Sequence, residues 1–222
     1  MWTSTRAWFS SNYQKRIAAD IGIGYVFVER NDWWEWNYDF ENRFRITNQF
    51  FLIHNWEQRF QNNSEGYAVS FGTPEFTHNG TIFGNRDRIN TTQTLGIDYT
   101  LTNRIGITFR LRNYNAIIKY NSFSELLPNG RLSSLESYSG NDIDGNSVYD
   151  INYNAFTIDM LFRWVFFPGS EINVVWKNSI FSDDESIDQT YWNNLFGNLQ
   201  DGPMNTFSIN LIYWLVAHYL KK

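Results

Sequence analysis

The chain has 222 residues, a length suited to one β-barrel or one large β domain, and we expect a single domain over residues 1–222. Its aromatic content is 19%, yet its mean hydropathy is only -0.45. A transmembrane β-barrel needs both properties, because half of each strand faces hydrocarbon and half faces a polar interior. The net charge of -5 is mild and no basic patch stands apart from acidic neighbours, which argues against a nucleic-acid partner.

Cysteine is absent, which excludes disulfides and thiolate metal sites, and we expect no cofactor. The longest apolar run, Leu211 to Ala217, has strand length and falls well short of the roughly 18 residues that a membrane-spanning helix needs. The residues after Met1 lack the basic start and apolar core of a secretory signal. For an outer-membrane protein, this indicates a processed form or an excerpt from a longer chain.

Alternation of apolar and polar residues predicts about nine β-strands, of which the first four come before residue 62. These four lie near residues 2–11, 15–29, 33–46 and 49–61. From Trp34 to Ile46, one face is mostly aromatic or aliphatic and the other is charged or amide-bearing. The fourth strand alternates less regularly. We assign to its outer face Phe50, Leu52, His54, Trp56 and Phe60.

Five further strands are predicted near residues 86–101, 104–121, 153–167, 171–181 and 204–219. Short turns join consecutive strands at Thr47-Asn48, Thr102-Asn103 and Pro168-Gly169-Ser170. Long polar connections are predicted over residues 61–86, 122–152 and 182–203. Short turns on one side and long loops on the other are typical of bacterial barrels, in which the short side is periplasmic.

Aromatic residues near both ends of the predicted strands indicate two interfacial girdles. Near the long connections these are Tyr25, Trp33, Trp34 and Tyr120, and near the short turns they are Tyr99, Trp164, Phe166 and Tyr219. Single-chain bacterial barrels have an even number of strands, whereas the predicted count here is odd. We therefore expect this chain to be part of a larger barrel, with at least one strand before Trp2.

One segment carries a family resemblance. Residues Ala155 to Ile180 read AFTIDMLFRWVFFPGSEINVVWKNSI, in which an aromatic-rich strand meets a Pro-Gly-Ser turn and a Val-Trp-Lys-Asn strand. This pattern resembles the C-terminal barrel of the DUF5916 family, and Asn205 to Leu220 is similar to that family's final strand. The resemblance implies an outer-membrane barrel, mainly from Bacteroidota, that follows a carbohydrate-binding, family 9-like β-sandwich. It implies no catalytic residue.

Charged side chains on the inner strand faces form the first candidate site. They are Asp20, Glu35, Asp39, Glu41, Arg43, Arg45, Asp98, Arg104, Arg110, Arg112, Asp159, Arg163 and Lys177. A ring of one sign would select ions in an aqueous pore, whereas interleaved opposite charges would form a network that supports the barrel wall. The near balance of signs favours the network. The exception is Arg104, Arg110 and Arg112, three cations on one strand face.

The loop from Asn141 to Asp150 is a candidate calcium site. Its oxygen-bearing side chains are Asp142, Asp144, Asn146 and Asp150. Calcium takes 6–8 oxygen ligands, but here the glycine is displaced and no glutamate closes the loop. The pattern therefore favours a solvated loop without metal. The same holds for the acidic run Asp183, Asp184, Glu185 and Asp188.

Catalysis has little support in the sequence. His54, His78 and His218 lie far apart and belong to no metalloprotease or nucleophile motif. Glycosidases use paired carboxylates, and Glu35, Asp39 or Glu41 could contribute one. Acids that alternate along a strand face are, however, what a water-filled interior shows in any case. We expect no enzyme.

The sequence thus predicts a protein of the bacterial outer membrane that supports transport or anchors a glycan-binding module. Its expected partners are membrane lipid and either glycans or other outer-membrane proteins. A soluble β-sandwich lectin, with exposed aromatic residues that stack on sugars, is the alternative from another class. An interaction subunit of an outer-membrane complex is a third reading, which the sequence does not separate from the first.

Overall fold

The computed structural model describes residues 1–70, 80–184, 187, 190–198 and 202–215. Ten strands and one short α-helix make up most of this part of the chain. The strands are β1 (Trp2–Ser10), β2 (Ile17–Val28), β3 (Trp33–Arg45), β4 (Phe50–Ser70), β5 (Thr81–Thr102), β6 (Ile105–Leu126), β7 (Leu132–Ser134), β8 (Ile151–Phe167), β9 (Ser170–Asp184) and β10 (Met204–Ile212). A single 3-10 turn, Glu29–Asn31, links β2 to β3, and the helix α1 (Tyr191–Asn198) lies between β9 and β10.

All strands belong to one antiparallel sheet in the order β1-β2-β3-β4-β5-β6-β8-β9-β10, with β7 paired to β6 off this path. The prediction of an all-β antiparallel fold is confirmed. Within the described residues the sheet is open, because β1 pairs only with β2 and β10 only with β9. No helix among the described residues is long and apolar enough to cross a membrane.

The nine predicted strands correspond to β1–β6 and β8–β10, but five of them, β4, β5, β6, β8 and β9, are longer than predicted. β4 runs to Ser70 and β5 begins at Thr81, so the predicted connection over residues 61–86 is wrong for residues 61–70 and 81–86, while residues 71–79 lie outside the described residues. Polar residues fill this hairpin without breaking it, since the ladder continues past a bulge at Asn63, whose φ is 56°. Such bulges bend a strand while the pairing continues on both sides.

Two other predicted connections also need correction. In residues 122–152, β6 continues to Leu126 and pairs with the short strand β7, so this connection begins with a hairpin. In residues 182–203, β9 extends to Asp184 and the unpredicted α1 follows. β10 ends at Ile212, whereas the predicted strand continued to residue 219; positions 216–222, including Tyr219, lie outside the described residues.

The register divides the sheet into two faces. One cross-strand row is apolar from β2 to β10 and is named here the apolar row: Ile17, Phe44, Leu52, Ile97, Phe109, Met160, Trp176 and Phe207. The row one residue along each strand is named the mixed row: Ala18, Arg43, Ile53, Gly96, Arg110, Asp159, Lys177 and Thr206. Adjacent residues of a strand point to opposite sides, so an apolar face and a charged face extend across the sheet.

The apolar row also settles the irregular fourth strand. Leu52 pairs with Phe44 on one side and Ile97 on the other, so the set that contains Phe50, His54 and Trp56 lies on the apolar face of the sheet.

Candidate functional site

The charged face of the sheet is concave. Two cavities of about 570 and about 830 Å³ open on it. Arg6 of β1 and Tyr114 of β6 line the same cavity, so this face curves around the space between distant strands. Polar and charged side chains such as Asp39, Glu57 and Arg110 line the two cavities. The surface can therefore hold water and polar solutes.

Glycines in β2 make room for an ion pair that crosses a strand. Arg6 Nη2 of β1 lies 2.7 Å from Asp39 Oδ1 of β3, although β2 runs between the two strands. A Cβ at Gly22 would lie 2.5 Å from both carboxylate oxygens of Asp39. The missing side chain thus lets the Asp39 carboxylate lie above β2 and reach the arginine.

Glu35 is a buried acid of the charged face, with 8% of its surface exposed. Its carboxylate lies 3.4 Å from Arg59 Nε and accepts hydrogen bonds from Gln61 Nε2 at 2.7 Å and Asn37 Nδ2 at 3.1 Å. These partners satisfy a buried charge, which would otherwise be costly. Glu35 is therefore a supporting residue of the wall.

The cations of β3 pack on aromatic rings. The Arg43 guanidinium carbon lies 4.8 Å from the centre of the Phe51 ring and the Arg45 carbon 5.6 Å from it, distances at which cation–π attraction operates. This contact accounts for an apolar Phe51 on the charged face. Tyr13, in the turn before β2, donates a hydrogen bond of 2.5 Å to Asp20 Oδ2. That bond raises the pKa of Tyr13 to about 12.

Two more charge pairs lie on β8 and β9. Arg163 donates two hydrogen bonds to Glu171 Oε2, at 2.8 and 2.6 Å, and Lys177 Nζ lies 3.9 Å from Asp159 Oδ1. Both pairs have an exposed cation, and such pairs stabilise a protein by at most about 1 kcal/mol.

Eight of the predicted inner charges make no ion pair within the described part of the chain: Asp20, Glu41, Arg43, Arg45, Asp98, Arg104, Arg110 and Arg112. Arg110 and Arg112 line the larger cavity, opposite acids such as Glu41 and Glu57. The predicted third cation, Arg104, is not on the strand. The Thr102 hydroxyl accepts the amides of residues 104 and 105, which places Arg104 in the turn between β5 and β6.

The candidate calcium ligands are not brought together. Asp142 Oδ1 accepts the backbone amides of Asp144 at 2.9 Å and Asn146 at 2.8 Å, which closes a tight turn. Asp150 instead accepts the Tyr120 amide, at 2.8 Å. No group of three acidic or histidine side chains in the described residues is arranged to hold a metal ion. Of the second acidic run, Glu185 and Asp188 lie outside the described residues.

The structure also places the remaining candidate groups. His54 Nε2 lies 3.1 Å from Gln93 Nε2 on the apolar side of β4 and β5, while His78 and His218 lie outside the described residues. Glu35 and Asp39, proposed for a carboxylate pair, are engaged by Arg59 and Arg6. Tyr120 was expected in a girdle; its ring stacks on Phe123 with centroids 5.8 Å apart and also contacts the Tyr149 ring at 5.9 Å.

An asparagine band, which sequence reasoning missed, lies on the other side of the sheet. It consists of Asn113 and Asn115 of β6 and Asn152 and Asn154 of β8, all at most 3% exposed. Asn115 Nδ2 donates to Asn154 Oδ1 at 2.8 Å, and Asn152 exchanges two hydrogen bonds of 3.0 Å with Asn194 of α1. The sequence carries one sign of this band: along the apolar face of β6, the apolar residues end at Leu111 and asparagines follow from Asn113. Nothing in the alternation indicated the covering helix.

The family model for the domain of unknown function DUF5916 matches residues 1–222. The chain belongs to the DUF5916 family. The resemblance read from Ala155 to Ile180 is thereby confirmed, and the match extends it to the whole chain. Comparison with curated proteins and with solved structures finds no match. The function of this DUF5916 chain is therefore inferred from the two faces of its sheet.

Proposed function

We propose that this DUF5916 chain forms strands of an outer-membrane β-barrel, with the apolar face against lipid and the charged face around a water-filled interior. The barrel supports transport of polar solutes or anchors a glycan-binding module, as the family resemblance implies. No catalytic role is proposed, because Glu35 and Asp39, two of the acids considered for a carboxylate pair, are engaged by Arg59 and Arg6.

The apolar row is the observation that carries the proposal. Its eight members come from eight neighbouring strands, and none is polar. A second row has the same character: Phe50, Tyr99, Ile107, Phe162, Val174 and Ile209. Soluble monomers rarely expose apolar patches above a few hundred Å², and rows that cross the whole sheet exceed this scale.

Exposure of the largest side chains supports the same assignment. Phe207 and Ile209 are 70 and 71% exposed, and Trp36 is 44% exposed. On β8 the apolar set runs from Phe156 to Phe166, which matches the roughly 9–11 residues of a tilted strand that spans a bilayer. In the hydrocarbon of a bilayer, these exposed apolar side chains would be stable without packing against other protein elements.

The charged face suits a polar interior without a fixed ion preference. Acids and bases both line the larger cavity, namely Glu41 and Glu57 from β3 and β4 and Arg110 and Arg112 from β6. A selectivity ring would carry one sign. We therefore propose passage or docking of neutral, hydrophilic solutes.

Detergent dependence separates this proposal from the lectin alternative. The barrel should sediment with outer membranes after cell fractionation and aggregate when detergent is removed. A lectin would be soluble and monodisperse without detergent, a result that would contradict the proposal. One continuous sheet favours the barrel, since a sandwich needs two packed sheets.

A further inference from the structure

Helix α1 exposes aromatic side chains and buries a polar one, which is unusual for a helix in water. Asn194 is 4% exposed and faces the sheet, whereas Trp192 and Phe196 are 54 and 61% exposed. The two exposed rings stack with centroids 6.4 Å apart and form one apolar patch. A surface helix of a soluble protein shows the reverse pattern, with apolar residues inward and polar residues outward.

Contacts with the sheet fix the position of this helix along the strands. α1 packs against β6, β8 and β9, and Asn194 bonds to Asn152 of the asparagine band. At its start, the Tyr191 ring lies 5.2 Å from the Trp56 ring, and its hydroxyl donates to Gln93 Oε1 at 2.9 Å. An eight-residue helix is too short to be stable alone, so these contacts fix its place.

The helix lies beside the border of the apolar face, at the end of the sheet that carries the long connections. On β5, Gln93 is the first polar position after Tyr99, Ile97 and Leu95; on β6, Asn113 is the first after Leu111. The Trp56–Gln93 pair is four residues from the apolar row, about 13 Å along the strand. α1 therefore lies where hydrocarbon gives way to headgroups if the apolar face is in lipid.

We infer that α1 is an interfacial helix, whose Trp192 and Phe196 insert among the lipid headgroups of the outer leaflet. This inference rests on the proposed function. The chemistry agrees: the helix carries no charge, tryptophan favours the membrane interface, and helices of this kind bury their apolar side about 5–10 Å into the headgroup boundary. Continuity with the apolar row favours lipid over a protein partner.

Spin labels on single cysteines test the inference, and the chain has no cysteine of its own. Trp192→Cys and Phe196→Cys replace exposed residues, so α1 keeps its contacts with the sheet. The references are Met160→Cys in the apolar row and Asn129→Cys in the loop before β7. The full-length protein is reconstituted in phosphatidylcholine vesicles. Collision with oxygen, which enters bilayers, is compared with collision with a water-soluble nickel chelate.

The labels at residues 192 and 196 should both give an oxygen-to-nickel ratio between those of residues 160 and 129. A ratio equal to that of residue 129 would place α1 in water, and low collision with both reagents would indicate a protein cover; either result overturns the inference. If residue 160 gives the aqueous ratio as well, the proposed function has failed. If residue 160 is in lipid and α1 is not, only the inference has failed.

Discussion

Two glycines shape the loop between β7 and β8. Gly140 has φ +69°, and a Cβ there would overlap the Phe123 ring, which packs with Tyr138 and Tyr149. Gly145 has φ +87°, but a Cβ there would meet nothing within 4 Å. Both positions favour glycine through backbone conformation, and only Gly140 also does so through packing.

Gly140→Ala should therefore destabilise the loop more than Gly145→Ala. Both substitutions incur about 1 kcal/mol or more of backbone strain, and overpacking against Phe123 adds about 1–3 kcal/mol at position 140. Limited proteolysis of residues 127–150 measures the difference as a faster cleavage rate. Equal rates for the two variants would show that the aromatic cluster leaves room at Gly140.

Asp142 makes the same loop sensitive to acid. Hydrogen bonds from Asn146 to its carboxylate lower the pKa of Asp142 in the folded loop. The unfolded value is about 3.9, so this stabilisation is complete above that pH and is lost as the pH falls through the folded pKa. The protection factors of the Asp144 and Asn146 amides, relative to intrinsic exchange at the same pH, should fall there, and Asp142→Asn should remove the transition. An unchanged transition in Asp142→Asn would assign it to another group.

Individual charge pairs were beyond sequence reasoning. Alternation predicted correctly that Asp39 and Glu35 share a face, but their partners Arg6 and Arg59 come from other strands. Partner choice depends on register and on the gap at Gly22, neither of which alternation specifies. The same holds for Phe51, whose place under Arg43 needs the folded sheet.

At the scale of elements, the existence and order of nine of the ten described strands could be predicted, whereas β7 and the strand lengths could not. β4, β5 and β6 continue through polar residues, because backbone pairing needs no apolar face. The apolar signal ends at the border of the apolar face, so the predicted strands ended near it too. α1 has eight residues and an amide facing the sheet, which gives no apolar periodicity to read.

The two faces of β6 and β8 should respond differently to charge. Phe109 and Met160 pair in the apolar row, where an arginine in lipid costs about 2–4 kcal/mol, so Phe109→Arg and Met160→Arg should block membrane assembly. Thr108→Arg and Thr157→Arg, on the charged face, should assemble as the native chain does. Assembly is measured as protease-resistant protein in outer membranes. Equal loss from both sets would contradict the faces assigned here.

At the scale of the whole molecule, the sheet has two ends with different connections. The turns at Thr47-Asn48, Thr102-Asn103 and Pro168-Ser170 lie at one end, and the loop of residues 127–150 and α1 lie at the other. In the proposed orientation the turns are periplasmic. Asn129→Cys should react with a membrane-impermeant thiol reagent on whole cells, and Asn103→Cys should react only after the outer membrane is opened. Labelling of Asn103→Cys alone would invert the orientation.

The two edge strands of the sheet, β1 and β10, also bear on the structure of the whole molecule. β1 and β10 do not pair with each other in the described residues, and an open edge in hydrocarbon leaves backbone groups unsatisfied at several kcal/mol each. A barrel therefore requires further pairing at both edges. The expectation of strands beyond these ten stays a prediction.

The most direct test of the two-faced sheet is a cysteine scan of β6 from Ile105 to Arg112, one position at a time, in membranes. Each variant is treated with a hydrophilic thiol reagent that has access to both aqueous sides. We expect a period of two, with labelling at Thr108, Arg110 and Arg112 and protection at Ile107, Phe109 and Leu111. Uniform labelling, or labelling in the opposite phase, would contradict a sheet that faces lipid on one side and water on the other.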